Sequence, residues 1–293
     1  MVNLYIVKAT SLNIRSSPKV EESNKITSVP QNQVISKLSV AEDGDWWNIL
    51  TIKDGQRLEG FVASHFLDPA PKRIQAIGWF KEQFRDKVNA AISGTPFSLD
   101  LLAAIAMQET YYIWGNLYNT RSIDEILKLC TGDTLDAPRR SAFPQNKSDL
   151  LKQAKGDEMF KIARASLEAV GEVVPSFKKV ADSFPNKFCR GYGIFQLDLQ
   201  FFKDKPNYFL QKKWYDFDEC LNQCVIELNA ALRRAYGSGK STLTDKERLY
   251  VAIAYNRGSV DFSRKCKQGF RDDTGKYYGE YIWEYLQLAK SVP

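Results

Sequence analysis

Ser98-Leu99-Asp100-Leu101-Leu102-Ala103-Ala104-Ile105-Ala106-Met107-Gln108-Glu109 holds the most apolar run in the chain. Ser98 is a good N-cap, and Asp100 falls in the first turn, where an acid meets the positive end of a helix. The consecutive apolar residues from Leu101 to Met107 leave no polar face, so the helix they form runs through a core. It is expected to end in a carboxylic acid, Glu109, with Tyr111, Tyr112 and Trp114 just beyond. Partial burial and the negative end of a helix both disfavour a carboxylate, so Glu109 should keep its proton nearer to neutral pH. A general acid needs that property; a glutamate whose head simply reaches solvent is the plainer alternative.

Outward from this helix the pattern stays helical towards the C-terminus. Ile77, Phe80, Phe84, Val88 and Ile92 recur at three- and four-residue steps and stop near Gly94. Residues 121–188 read as a helical, charge-rich region broken at Pro138, Pro144, Gly156 and Pro175. Phe217, Leu221, Val225, Leu228 and Leu232 mark a later helix ending at Gly237. Another contains Leu249–Tyr255, and a last one covers Tyr281–Lys290. Towards the N-terminus the period changes to two. Asn3–Lys8, Gln33–Leu38, Trp46–Ile52 and Arg57–Ala63 read as half-buried strands, separated by turns such as Lys53-Asp54-Gly55. Short strands in so few residues point to a small barrel, which removes exposed edges. Asp68-Pro69-Ala70-Pro71 reads as the linker between the two parts.

Composition narrows the function classes. Among 293 residues, 44% are hydrophobic and 26% charged, which fits a folded globular chain. No run is long and apolar enough to span a bilayer, so membrane insertion is not expected. The opening Met-Val-Asn-Leu-Tyr-Ile-Val-Lys has no export-signal pattern. A single histidine, His65, argues against His-based triads and His-rich metal sites. The net charge of +6 is uneven, −1 over residues 1–70 and +7 over 71–293. The basic part fits a polyanionic partner and fits a merely soluble surface as well. No basic helix stripe or reader motif supports nucleic acid. Cys130, Cys189, Cys220, Cys224 and Cys266 are odd in number; they read mostly as small buried apolar residues, with a disulfide among Cys130, Cys189 and Cys266 left open.

Two sets of motifs carry resemblances. Leu12-Asn13-Ile14-Arg15-Ser16-Ser17-Pro18, Asp45-Trp46-Trp47-Asn48-Ile49 and Glu59-Gly60-Phe61-Val62-Ala63 resemble the bacterial SH3 domain. That implies a barrel which holds cell-wall peptides or presents a catalytic partner. Glu109 closing an apolar helix, then Arg190-Gly191-Tyr192-Gly193-Ile194-Phe195-Gln196-Leu197-Asp198, then Ala252-Ile253-Ala254-Tyr255-Asn256-Arg257-Gly258, resemble in order the goose-type lysozymes and lytic transglycosylases. The fold implied is α+β with two domains: a small N-terminal SH3-like β-barrel over 1–70, and a mainly α-helical lysozyme-like domain over 71–293 with a helical insertion at about 121–188.

The second resemblance implies cleavage of the β-1,4 bond between N-acetylmuramic acid and N-acetylglucosamine in peptidoglycan, in the periplasm or cell wall. It implies neither metal nor organic cofactor. By its terms Glu109 is the general acid. Gln196, Tyr192 and the backbone around Ile194 bind glycan, and Tyr255 and Asn256 shape the site and steady Glu109 or an acetamido group. Asp198 stands where goose-type lysozymes place an acid that orients water for an inverting hydrolysis. Transglycosylases lack it and form an anhydro product. Phe195 replaces a usual methionine and Arg257 a usual small residue. A second acid is placed only by position, at Asp182. Tyr111, Tyr112, Trp114 and Tyr192 either stack on sugar rings or pack in the core. Delivery as a phage endolysin or as an injected effector fits the lack of a visible signal, as does prior removal of the signal; the injected case implies an immunity protein as partner, for which the insertion is the expected docking place. A wall-binding protein without turnover is the alternative of another class.

Overall fold

The computed structural model describes residues 3–134 and 142–293. The N-terminal part contains seven strands, β1 Leu4–Val7, β2 Ser11–Arg15, β3 Lys25–Pro30, β4 Val34–Val40, β5 Trp46–Lys53, β6 Gln56–Ala63 and β7 Leu67–Pro69. They form one antiparallel sheet in the order β3-β2-β6-β5-β4-β1-β7. The sheet curls into a half-barrel around Val7, Leu12, Ile14, Val29, Ile35, Ile49, Val62 and Leu67. Its longest hairpin pairs Lys53 with Gln56. The two residues between, Asp54 and Gly55, both have positive φ, the geometry that matches strand twist in a tight hairpin. The four strands expected from alternation are present. β2, β3 and β7 join them.

The expected linker is not one. Asp68 and Pro69 belong to β7 and pair with Ile6 and Tyr5 of β1. The Ala70 amide donates to the Leu4 carbonyl at 3.0 Å, and the Gln75 side chain donates to the same oxygen at 2.7 Å. Both prolines fit because each sits where no amide hydrogen is needed: Pro69 on the edge strand, Pro71 just ahead of the first helix. Leu4 and Val34 accordingly pack into the second, larger core with Ala70 and Ile74.

The rest of the chain contains α1 Lys72–Ala91, α2 Leu99–Trp114, α3 Ile123–Leu129, β8 Thr131–Thr134, α4 Lys147–Leu151, α5 Gly156–Gly171 and α6 Pro175–Ser183. Then come β9 Cys189–Tyr192, β10 Leu197–Asp198, α7 Pro206–Leu210, α8 Phe217–Tyr236, α9 Asp245–Arg257 and α10 Tyr278–Ser291. α2 is the central helix: Leu101 to Met107 are all buried, with α1 and α10 packed on it. Its cap is the one expected, the Ser98 hydroxyl accepting from the Leu101 amide. α9 opens with a reciprocal cap between Thr244 and Glu247 and stops at Gly258 in the left-handed region. Lys81 of α1 is buried and binds Asp100 at 2.7 Å and the carbonyls of Ala289 and Val292 at 2.6 and 2.7 Å, fixing the C-terminus.

The helical insertion expected at about 121–188 also contains a strand. β8 pairs antiparallel with β9, and β9 with β10, making a small second sheet beside α2. Pro138 lies outside the described residues. All five cysteines are free thiols, four of them buried, so no disulfide forms among Cys130, Cys189 and Cys266.

Candidate active site

A cleft of about 440 Å³ opens between α2, the small sheet, α8 and the end of α9. Glu109, Asp133, Gln196, Asp198, Tyr255 and Asn256 line it, along with Glu227, Arg234 and Arg257. Four of the seven expected site residues therefore meet Glu109 there, and two do not.

Glu109 is half-buried on α2, five residues before the last residue of the helix. The helix end is thus more than a turn away, and the expected dipole effect is not the cause of its chemistry. Burial is: it pushes the carboxyl up to about 8, against an opposing hydrogen bond from Tyr278 and with a small further push from Asp133. The Tyr278 hydroxyl donates to Glu109 Oε1 at 2.9 Å. Oε2 has no hydrogen bond to any described residue. The acid is held at one oxygen and presented at the other.

Asp198 and Asp133 share one cation. Arg190 of β9 places Nε 3.4 Å from Asp198 Oδ2 and a terminal nitrogen 3.2 Å from Asp133 Oδ2. Asp198 Oδ1 also accepts from the Gln200 amide at 2.7 Å. Register explains the grouping: Asp198 pairs with Gly191 on one side of β9, and on the other side Asp133 falls between the Gly132–Gly191 and Thr134–Cys189 pairs, level with Arg190. Asp182, the expected second acid, is exposed on α6 and paired with Lys178 at 3.0 Å, away from the cleft. It was placed by position alone, and Asp133 occupies the site instead.

Gln196 lines the cleft, but its amide nitrogen is committed to the carbonyls of Gly193 at 2.7 Å and Cys130 at 3.3 Å. It ties the β9–β10 turn to the start of β8. A side chain on Gly191 or Gly132 would run into Gln196 Oε1, and one on Gly132 would also strike the Tyr112 hydroxyl. The two glycines are what let these groups close in. Tyr192 and Ile194 are corrected: both are buried and neither lines the cleft. The Tyr192 ring packs on Phe209 and Trp214, with its hydroxyl bonded to the Cys189 carbonyl. The Ile194 carbonyl is taken by the Thr110 hydroxyl at 2.8 Å.

Tyr255 does not steady Glu109. Its hydroxyl donates to the Phe195 carbonyl at 2.6 Å and fixes the glycine turn against α9. Asn256 is exposed in the cleft. Arg257 lines it too and donates to Gln268 at 3.2 Å, so the larger residue in that position is accommodated by the loop after α9. Of the aromatic candidates, Trp114 is core, stacked on Trp79. Tyr111 and Tyr112 line a neighbouring cleft instead.

Sequence reasoning missed Asp133, Arg190 and Tyr278. Thr131-Gly132-Asp133-Thr134, a β-branched run with a glycine inside a charge-rich helical stretch, was the available signal for the first. Among the described residues, no group of three or more His, Cys, Asp or Glu is placed to hold a metal. No protein-family model, curated protein or solved structure matches the chain, so the site stands on its own geometry.

Proposed function

We propose that the chain cleaves the glycan strands of peptidoglycan, with Glu109 as general acid. The observation that carries this reading is Glu109 itself: a carboxyl raised to about 8, anchored by Tyr278 at one oxygen, facing a groove through the other. At neutral pH it holds a proton for the glycosidic oxygen leaving from N-acetylmuramic acid. Asp198 and Asp133, kept close by Arg190, supply the second carboxyl group of the pair, the one that orients water onto the far face of the sugar. Their presence favours hydrolysis with inversion over the transglycosylase outcome, in which a glutamate alone returns the proton. In this reading residues 71–293 are the lysozyme-like unit and the half-barrel is an SH3-like wall-binding module.

Mass spectrometry of muropeptides released from purified peptidoglycan tests it, with Glu109→Gln beside the native chain. Reducing-end disaccharide peptides, absent with Glu109→Gln, are expected. Anhydro-muramyl products would convert the reading to a transglycosylase and leave Asp198 structural, as would an Asp198→Asn variant with full hydrolytic rate. No release from several wall types would leave a wall-binding protein without turnover.

A further inference from the structure

We propose that a second, aromatic cleft beside the Glu109 groove is a sugar-binding subsite that takes the glycan strand where it runs on past the cutting site; this rests on the function proposed above. The cleft has a volume of about 290 Å³ and is walled by Tyr111, Tyr112, Phe270, Tyr281 and Tyr285, with Arg73 at its rim. It is thus small and mostly aromatic, with a few polar groups, the usual make-up of a site for a small organic ring. Phe270 is 72% exposed and Tyr112 41%. Large apolar faces left open in this way are where a partner is to be sought.

Phe270 stands on an ordered stretch of backbone. It leads into a hairpin closed by a bridge between Arg271 and Tyr277 and by the Tyr278 amide donating to the Phe270 carbonyl at 2.8 Å. Asp272 pins that hairpin: Oδ1 accepts from the amides of Thr274 and Lys276, and Oδ2 from the Tyr281 hydroxyl at 2.6 Å. On the other side Gly269, at φ +85°, lies so close to Tyr278 that an added Cβ would stand 2.6 Å from that residue's own. The backbone that carries the ring is therefore fixed, so stacking on it orders one side chain and no loop.

The two clefts are separate but adjoin. Gly269 lies against Asn256 of the Glu109 groove, and the next residue is Phe270. Tyr112 has its ring in the aromatic cleft while its hydroxyl reaches Gly132 and Gln196 in the wall of the other. Tyr278, which grips Glu109, starts the helix that supplies Tyr281 and Tyr285. The charges decide the occupant. Lys276 is paired with Glu284, and Asp272 is engaged as above. Arg73 alone has no ion pair with a described residue, too little to select an anionic peptide over an uncharged ring. Lys276 lies over the Tyr281 ring and Phe177 stacks on Tyr112, so the flat apolar surface left for the C–H face of an N-acetylhexosamine is chiefly that of Phe270, and Gln108 and Arg73 offer donors to its hydroxyls.

Phe270→Ala and Phe270→Trp test this with peptide-free N-acetylated strands of defined length. With Phe270→Ala, kcat/KM on long strands should fall about five- to tenfold, through KM. The shortest cleaved strand should be unaffected, and Phe270→Trp should restore the long-strand rate. Equal effects on short and long strands, or none, overturn the proposal. So does a variant that keeps its length preference and loses only its preference for peptide-bearing strands, since the cleft then takes the peptide. Calorimetric titration of long chito-oligosaccharides into Glu109→Gln, with and without Phe270→Ala, decides the matter without turnover. Weaker binding with Phe270→Ala supports the subsite even if no wall is cut; unchanged or absent binding refutes it.

Discussion

Glu109→Gln should make the protein more stable, and by an amount that grows with pH. The folded chain holds the Glu109 proton up to about 8, whereas the ordinary value is 4.5. Between those values the folded state binds more protons than the unfolded one, so each pH unit upward costs the native chain about 1.4 kcal/mol from this group alone. Over the whole interval the loss reaches at most about 5 kcal/mol; a half-buried carboxyl that water partly reaches brings the expected figure nearer 2–3 kcal/mol. Glutamine has the same shape, can still accept from Tyr278, and carries no charge to desolvate. Urea unfolding of both chains at pH 4, 6, 8 and 9 reads the difference directly. The two should coincide at pH 4, separate from about pH 5 and level off past pH 8, the glutamine chain being the more stable. Parallel curves, or a glutamine chain less stable at pH 8, would refute the claim that burial holds this proton, whatever the protein does to cell walls.

Other substitutions probe the neighbours. Tyr278→Phe removes a donor to the ionised form, so the Glu109 titration followed by carboxyl carbon NMR should move up by about one pH unit from near 8, with the alkaline limb of any activity following it. Arg190→Gln takes away the side chain that holds Asp133 and Asp198 together; activity should drop about tenfold at neutral pH as the two carboxylates lose their set positions. Gly191→Ala drives a methyl into the Gln196 amide and should abolish the ordered cleft, seen as lost glycan binding with little change in helix content. Lys81→Met strips the buried partner from Asp100 and two terminal carbonyls and should destabilise by about 3–5 kcal/mol in urea, with the cleft untouched.

What could be read in the chain beforehand was what local pattern determines. The helix from Ile77 to Ile92, the Ser98 cap and the Gly237 and Gly258 stops are written in spacing and terminal residues, and each is where it was expected. β8 was not legible because its four residues are a strand only through β9, which lies far along the sequence. Glu109 was legible through the apolar run ahead of it, although the dipole half of that argument fails because the helix continues to Trp114. Tyr278 was not, since its reach to Glu109 is set by how α10 packs on α2. Tyr192 and Ile194 show the limit of motif likeness: a motif names residues in order, and the side of the turn each one faces depends on Gly193 and Gln196 both adopting positive φ.

The join at Asp68–Pro71 has a mechanical meaning. A wall-binding module on a loose tether lets a cutting site sample many bonds around one anchor point. Here β7 closes onto β1, the Gln75 side chain clasps Leu4, and Leu4 and Val34 belong to the same core as the first helix. Whatever the half-barrel grips is therefore carried at a set offset and orientation from Glu109. If the chain cuts glycan as proposed, the bond is chosen at the moment it lands, as with a jig, and moving to the next one requires the barrel to let go.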